Sequence, residues 1–184
     1  PQYDEIAEVH HIHDGDTLQL RDGRKVRLIG INTPELARGN AVAEAYASEA
    51  KKTLTALFNN DKSIGLVFGE EQKDHYGRFL AYVFSADKQD AQAALLKQGH
   101  AFAIAIPPNT LLAACYLAVE HDARCHQQGL WKDAAILRAS ELNKSHTGFH
   151  LIQGKVKSIK TNKKGIWLNM DDRLTVGIRP DNKA

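Results

Sequence analysis

The segment 26–35, which reads VRLIGINTPE, constrains the fold more than any other part of the chain. Its first six residues are mostly apolar, which is typical of a buried strand, and the proline near its end stops the strand. Arg27 lies near the start of this apolar run and Glu35 lies just beyond its end. Burying a guanidinium or a carboxylate costs on the order of several kcal/mol unless the charge is paired or used. We therefore interpret the segment as a core strand whose two charged residues point into one phosphate-handling site.

The composition is that of a globular chain and excludes a membrane-spanning helix. The 184 residues are 43% hydrophobic and 25% charged, which is enough for one full domain and a small appendage. No apolar run approaches the roughly 18 residues that a spanning helix needs, so no membrane association is predicted. The first residue is a proline and not methionine. This start is compatible with a removed secretory signal, and we expect a periplasmic or secreted protein.

The net charge of +2 is spread unevenly along the chain. Residues 1–138 carry 15 Lys and Arg against 18 Asp and Glu, whereas residues 139–184 carry 9 against 4. A basic tail on a mildly acidic body favours a polyanionic partner such as nucleic acid. A plain solvated surface is the alternative interpretation of the same charges.

Alternating apolar residues and turn signals predict five short strands, with a helix after the third strand. The predicted strands cover residues 6–12, 17–20, 25–31, 63–68 and 79–84. This order predicts a small closed barrel of the oligonucleotide/oligosaccharide-binding (OB) type. Asp90 is a suitable N-cap for a second, short helix, and a long third helix is predicted over about residues 110–128. The predicted fold class is α+β: a five-stranded OB-fold-type β-barrel with three helices, plus a short C-terminal β-meander.

The chain is predicted to divide into a main domain, a linker and an appendage. The main domain covers residues 1–138, the polar linker 139–149 and the appendage 150–184, with strands predicted over 151–159, 166–170 and 174–178. Three strands alone are marginal in water. The appendage is therefore expected to dock on the main domain, to pair with another chain, or to be an incomplete module.

The two cysteines are predicted to be free. Cys115 and Cys125 lie ten residues apart in the predicted long helix, which separates their Cα atoms by about 15 Å, beyond the ~7 Å limit for a disulfide. We expect both to be buried as small apolar residues. The aromatic residues Phe102, Trp131 and Trp167 are likewise expected in the core.

A first group of polar residues could hold a metal ion. Asp14 or Asp16 follows the first predicted strand, and Asn32 and Thr33 follow the third. Carboxylates, amides and backbone carbonyls are the ligands that hard cations such as calcium prefer. The alternative is that Asp-Gly-Asp-Thr is an ordinary turn without a ligand.

A second group, Arg27, Glu35 and Arg78, suits phosphodiester hydrolysis. That reaction needs a base to orient water and cations to offset the charge on phosphorus, and an arginine fork matches two phosphate oxygens. The alternative is a structural ion pair between Arg27 and Glu35, with Arg78 as a solvated turn residue.

Taken together, the motifs resemble the staphylococcal nuclease (thermonuclease) family. The matching pieces, in order, are Asp14–Thr17, Val26–Glu35, Asp74–Arg78 with Leu80–Tyr82, and Gly129–Trp131. Single pieces are weak signals, but their order and spacing agree over roughly residues 5–133. The resemblance implies a calcium-dependent phosphodiesterase that acts on DNA and RNA and leaves 3′-phosphorylated products.

The resemblance also implies roles for individual residues. Asp16 and the Thr33 carbonyl are similar to calcium ligands, Glu35 to the general base, and Arg27 and Arg78 to phosphate clamps. This chain departs from the family pattern at two places. Asn32 replaces a second calcium-binding aspartate, so metal affinity is expected to fall or another divalent ion to be preferred. The segment 103–108 lacks the tyrosines that face the nucleotide base in the family, so base preference is left open.

The sequence therefore predicts a nuclease with low sequence specificity that favours single strands and needs no protein partner. The alternative is a catalytically weak or inactive nucleic-acid-binding module of the same fold. Further nucleic-acid contacts are predicted outside the catalytic group: Tyr76, Lys155, Lys157, Lys163 and Lys164. A solvated surface is again the alternative for the lysines.

Overall fold

The computed structural model describes residues 2–37, 39, 42–134 and 136–179. Its internal contacts divide the chain into two compact units, Pro1–Lys132 and Asp133–Ala184. In the described residues no helix is both long and apolar enough to cross a bilayer.

Within its described residues, the first unit contains seven strands and three α-helices. In chain order they are β1 (Glu5–Ile12), β2 (Thr17–Leu20), β3 (Lys25–Leu28), β4 (Ile31–Asn32), α1 (Ala47–Leu57), β5 (Ser63–Lys73), β6 (Phe79–Ser85), α2 (Ala91–Lys97), β7 (Phe102–Ala103) and α3 (Ala113–Cys125). A short 3-10 helix, Gly129–Lys132, follows α3.

Five of these strands close a barrel in the order β1-β2-β3-β6-β5, which confirms the predicted OB-type fold class. The β3–β6 pair is parallel, and the other pairs between named neighbours are antiparallel. Inward-facing residues of β2 and β3 alternate along each strand as the barrel requires. Leu18, Leu20, Val26 and Leu28 are all 0–1% exposed and form the centre of the core.

Gln92 on α2 joins the helix to the barrel from inside the core. Its side-chain amide donates to the carbonyls of Ile29 and Ala81, both at 3.2 Å, and its Oε1 accepts from the amide of Val83 at 3.1 Å. Gln92 is fully buried. A buried amide is tolerated here because its donor and acceptor atoms are satisfied.

The predicted strand over residues 25–31 is wrong in its second half. Gly30 has φ +82°, in the left-handed region, and a Cβ at this position would lie 2.7 Å from Cε2 of Tyr116. The chain therefore leaves the barrel after Leu28 and pairs again as β4 with β7. This break separates Asn32 from the barrel sheet and pairs it with Phe102 on β7.

The helix α3 is shorter than the predicted 110–128, and its cysteines are exposed. Cys115 and Cys125 are free, as predicted, but the prediction that they are buried is wrong. The face of α3 that packs on the barrel carries Tyr116 and Ala123 instead. Trp131, by contrast, is buried as predicted.

The second unit is built from short strands. β8 (Ile136–Arg138) pairs in parallel with β9 (Leu151–Gln153), and β10 (Val156–Asn162), β11 (Gly165–Met170) and β12 (Leu174–Ile178) form an antiparallel meander. The predicted strand 151–159 is broken at Gly154 and Lys155, whose amide donates to Asp171 at 3.0 Å. The predicted linker contains the 3-10 helix Ala139–Glu141.

Candidate active site

The Asp16 carboxylate lies in the tight turn before β2 and is almost fully buried. Its Oδ2 accepts hydrogen bonds from the amide of Thr33 at 3.1 Å and from the Thr33 hydroxyl at 3.0 Å, and its Oδ1 accepts from the Thr17 hydroxyl at 3.0 Å. Burial raises the pKa of Asp16, whereas the charge of Arg27 and these hydrogen bonds act in the opposite direction. The bonds tie the end of β4 to the start of β2, so residues 16 and 33 belong to one site.

Arg27 reaches the same carboxylate from β3. Its Nη2 lies 3.0 Å from Oδ2 of Asp16 and donates to Oδ1 of Asn32 at 3.4 Å. The Arg27 side chain is only 14% exposed, and burial lowers its pKa. The charges of Asp16 and Glu35 raise that pKa, and the charge of Arg78 lowers it. Glu35 and Arg78, which are also predicted to be catalytic, therefore both act electrostatically on Arg27.

Arg78 comes from the turn between β5 and β6 and is held by Asp74. Its Nε donates to Oδ2 of Asp74 at 2.8 Å, and its backbone amide donates to Oδ1 at 3.0 Å. Nη1 of Arg78 also donates to the Thr17 hydroxyl at 3.3 Å. Because that hydroxyl donates in turn to Asp16, Thr17 links the Arg78 guanidinium to the buried carboxylate. The predicted alternative of a purely solvated Arg78 does not agree with these contacts.

Glu35 is exposed to solvent at the edge of the site. Its amide donates to Oε2 of Glu44 at 2.9 Å, and its carbonyl accepts from the Glu44 amide at 2.9 Å. This pair of bonds fixes the backbone at Glu35. The charge of Glu35 acts on Arg27, and an exposed carboxylate has access to water, which a general base for hydrolysis requires.

A cleft of about 390 Å³ adjoins the two arginines. Its lining includes Arg27 and Arg78 together with the apolar residues Leu80, Ile104 and Ile106. The cleft therefore combines cationic and apolar groups. Segment 103–108 contains no aromatic residue, so a nucleotide base in this cleft would have to stack on other side chains.

The predicted metal ligands Asp16, Asn32 and Thr33 lie close together, because Thr33 contacts Asp16 directly and Arg27 contacts both Asp16 and Asn32. Oδ2 of Asp16 and Oδ1 of Asn32 both contact the same nitrogen of Arg27, at 3.0 and 3.4 Å. Within the described residues, no group of three or more His, Cys, Asp and Glu side chains could hold a metal ion. A cation at this place therefore needs amide and carbonyl oxygens as well as carboxylates, and a set of hard oxygens of this kind suits calcium.

The sequence alone assigned no positioning role to three residues of the site: Asp74, Thr17 and Glu44. Asp74 and Arg78 are four residues apart across a turn that contains a glycine. An aspartate at the start of such a turn often accepts hydrogen bonds from residues of the same turn, so this spacing was a usable signal for the Asp74–Arg78 contact. The contact of Thr17 with Arg78 joins residues 61 positions apart. No local pattern indicates a contact of that kind.

The predicted nucleic-acid contacts lie in both units. Tyr76 is 73% exposed, and its ring packs against His75 at a tilt of 42° with the centroids 3.8 Å apart. The guanidinium carbon of Arg78 lies 5.4 Å from the centroid of the Tyr76 ring. Lys155, by contrast, lies at the start of the meander, and the remaining lysines are exposed on β10 and on the turn after it: Lys157, Lys163 and Lys164.

A closed OB-type barrel with two arginines held by aspartates has the side chains that phosphate recognition requires. Comparison with known proteins gives the family. Residues 25–133 match the family described as Staphylococcal nuclease homologue. Since this match covers more than half of the chain, the protein belongs to the staphylococcal nuclease family.

Individual relatives agree with this assignment. The chain is 33% identical over 127 residues to the Thermonuclease of Staphylococcus intermedius, which covers 67% of this chain and 74% of that protein. It is 34% identical over 123 residues to Endonuclease YncB of Bacillus subtilis (strain 168), covering 64% of this chain and 57% of that protein. It is 27% identical over 135 residues to an uncharacterized endonuclease of Escherichia coli O157:H7.

Proposed function

We propose that this nuclease is a divalent-metal-dependent phosphodiesterase that hydrolyses DNA, RNA or both with low sequence specificity and leaves 3′-phosphorylated products. The observation that carries the proposal is the convergence of Arg27 and Arg78 on the Asp16–Thr17 pair, with the charge of Glu35 acting on Arg27. Relatives named thermonuclease and endonuclease support the same activity.

Each side chain has a separate part in the proposed reaction. Glu35 accepts a proton from a water molecule whose oxygen attacks phosphorus. The bond from phosphorus to the 5′ oxygen then breaks, and that oxygen takes a proton from solvent, so the phosphate stays on the 3′ side. Arg27 and Arg78 pair with the non-bridging oxygens, where negative charge grows in the transition state.

Asp16, Asn32 and the Thr33 carbonyl would hold the metal ion, which we propose to be calcium. When bound, the ion would offset phosphate charge as a Lewis acid. Asn32 contributes an amide oxygen without charge, so other divalent ions are compatible with the site. Asp16 also orients Arg27, because the two side chains are in direct contact.

Low sequence specificity agrees with the character of the site. Its identified polar groups suit phosphate, and phosphate contacts carry no base information. Single strands remain the favoured substrate, and a periplasmic or secreted location remains a prediction.

The test is digestion of single-stranded DNA with and without a chelator, comparing the wild type with Glu35→Gln. We expect the substitution to lower the rate by at least about 100-fold, since a general base contributes on the order of 10²–10⁴. A matched control is Glu70→Gln, which removes an exposed carboxylate on β5 and is expected to leave the rate unchanged.

Two outcomes contradict parts of the proposal. Equal rates for wild type and Glu35→Gln would refute the assignment of the base. Binding of DNA without cleavage in any divalent ion would favour the binding module in place of the enzyme. Products are identified by end-labelling, and a free 3′ hydroxyl would contradict the proposed direction of cleavage.

A further inference from the structure

Trp167 lies on the polar face of the meander in the second unit and not in an apolar core. In the strand register Trp167 is opposite Lys160 on β10 and opposite Gly177 on β12. Directly paired residues of antiparallel strands share one face of the sheet. The side chain of Trp167 is therefore next to a lysine and a glycine, both of which are exposed.

The Trp167 ring is held against the sheet. A Cβ at Gly177 would lie 2.7 Å from Cζ3 of Trp167, so the ring covers the glycine closely. The indole nitrogen donates to Oδ1 of Asn162 at 3.3 Å. Since the same oxygen accepts from the amide of Lys164 at 2.8 Å, the orientation of the ring is fixed by the β10–β11 turn.

The rest of this face is polar and already ordered. Asn169 donates to the hydroxyl of Ser158 at 2.9 Å and accepts from the hydroxyl of Thr175 at 2.8 Å. The apolar residues of the sheet lie on the opposite face, where Ile159 and Leu168 are paired. We use "Trp167 face" for the polar side, defined by these residues: Ser158, Lys160, Trp167, Asn169, Thr175 and Gly177.

Positive charge surrounds the Trp167 face. Residues 155–179 carry seven Lys and Arg against two Asp and no Glu. Lys160 is on the face itself, and Lys163 and Lys164 are in the turn beside Asn162. A fixed indole ring with cations along its edge is the arrangement by which single-stranded nucleic acid is held, because a base stacks on the ring and phosphates pair with the cations.

We propose that the Trp167 face binds single-stranded nucleic acid, with one base stacked on Trp167 and the adjacent phosphates paired with Lys160 and the turn lysines. The inference rests on the proposed function for its ligand, since the polymer is the same one that the first unit cleaves. The Trp167 face would be an additional contact for that substrate, formed by residues other than those proposed to cleave it.

The experiment measures binding in the full chain with Glu35→Gln in every protein, so that the probe stays intact. The probe is an oligothymidylate of about twenty nucleotides, long enough for several stacked bases. Fluorescence anisotropy gives its dissociation constant at a series of salt concentrations. Quenching of tryptophan emission reports stacking directly, because the other tryptophan, Trp131, is buried in the first unit.

Trp167→Ala is expected to weaken binding about 5- to 100-fold and to abolish the quenching, whereas Trp167→Phe retains most of the affinity. Lys160→Gln is expected to lower the slope of log affinity against log salt by about one. Because Lys160 is exposed, this second variant tests the face even if Trp167→Ala perturbs the sheet. The matched control is Lys88→Asn, which removes a lysine from an exposed turn of the first unit and is expected to change neither quantity.

Unchanged affinity in both Trp167→Ala and Lys160→Gln, with no quenching in the parent protein, would overturn the inference. Equal binding of heparin, with the same loss in Trp167→Ala, would also overturn it, because heparin has no bases to stack. If the wild type cleaves DNA but the Glu35→Gln parent shows no quenching, the proposed function stands and the inference is refuted. If the Glu35→Gln parent shows quenching but the wild type cleaves nothing in any divalent ion, the inference is supported and the proposed function is refuted.

Discussion

Asp74→Asn tests whether the aspartate positions the arginine of the site. Asp74 accepts from Nε and from the backbone amide of Arg78, at 2.8 and 3.0 Å. Asparagine keeps one carbonyl oxygen for the backbone bond but replaces the charged acceptor of Nε. We expect the Arg78 side chain to lose its fixed orientation toward Thr17 while the turn itself still forms.

The magnitude follows from the contact. A hydrogen bond between charged groups contributes about 1.5–3 kcal/mol. The Arg78 and Asp74 side chains are 27% and 14% exposed, so solvent screening reduces the figure toward about 1 kcal/mol. A loss of about 1.4 kcal/mol corresponds to tenfold in rate. We therefore expect kcat/KM for single-stranded DNA to fall about 5- to 10-fold.

The assay is a double-mutant cycle with Arg78→Gln. If Asp74 acts through Arg78, adding Asp74→Asn to Arg78→Gln costs nothing further, whereas independent roles give additive losses. Asp87→Asn, in the exposed turn after β6, is the matched control and should leave the rate unchanged. A wild-type rate for Asp74→Asn, or full additivity with Arg78→Gln, would refute the reasoning.

Asp74 also gives a pH dependence. Burial raises its pKa, but the hydrogen bonds and charge of Arg78 outweigh burial, so the pKa lies below the ordinary value of 3.8. A carboxyl with a lowered pKa contributes stability that is complete above the ordinary value and is lost as pH falls through the folded-state value. Acid unfolding of Asp74→Asn should therefore be less steep than that of the wild type below about pH 4.

Two further predictions concern stability. Gln92→Leu removes the two hydrogen bonds that Gln92 donates to the carbonyls of Ile29 and Ala81 and the one that it accepts from the amide of Val83, and should lower the free energy of unfolding by about 3 kcal/mol in urea titrations. Gln72→Leu on the exposed part of β5 is the control, and a similar small effect for both would contradict the role of Gln92. Burial lowers the pKa of His100, whose Nδ1 lies 2.8 Å from the Thr53 hydroxyl, so the folded state binds a proton less readily than the unfolded chain. The contribution of His100 to stability should be complete above about pH 6.5 and should be lost as pH falls below that value. In thermal unfolding, His100→Gln should therefore reduce the dependence of the melting temperature on pH. An unchanged dependence would show that other groups cause it.

Much of the fold follows from local signals. Alternating residues in β2 and β3 with Asp22-Gly23 between them specify a hairpin, and Gly23 indeed has φ +90°. Asp90 was identifiable as an N-cap, and its carboxylate accepts from the amide of Ala93 at 2.8 Å. Such features depend on residues a few positions apart, so propensity and periodicity are sufficient to predict them.

Other features depend on contacts that no local pattern contains. The end of β3 is set by Gly30, because the ring of Tyr116 occupies the space beside it. The exposure of Cys115 depends on which face of α3 meets the barrel, and Tyr116 takes that face. The position of Trp167 on the polar side of the meander follows from strand register, and a shift of one residue would have placed it on the other side.

The sequence by itself therefore determined the kind of fold, a closed barrel, and it named the residues of the candidate site: two arginines, a carboxylate after a strand and the predicted oxygen ligands. Only the tertiary structure decided how those groups are connected. Arg27 is paired with Asp16, and Arg78 is held by Asp74. The Thr17 hydroxyl contacts both Arg78 and Asp16 and so links the two pairs. The physical reason is that the residues available for a site can be read from residue type and spacing. Which of those side chains contact one another depends on which distant strands the closed barrel brings together. Within the segment 26–35, this arrangement separates the roles of the two charged residues, one buried against a carboxylate and the other exposed to water.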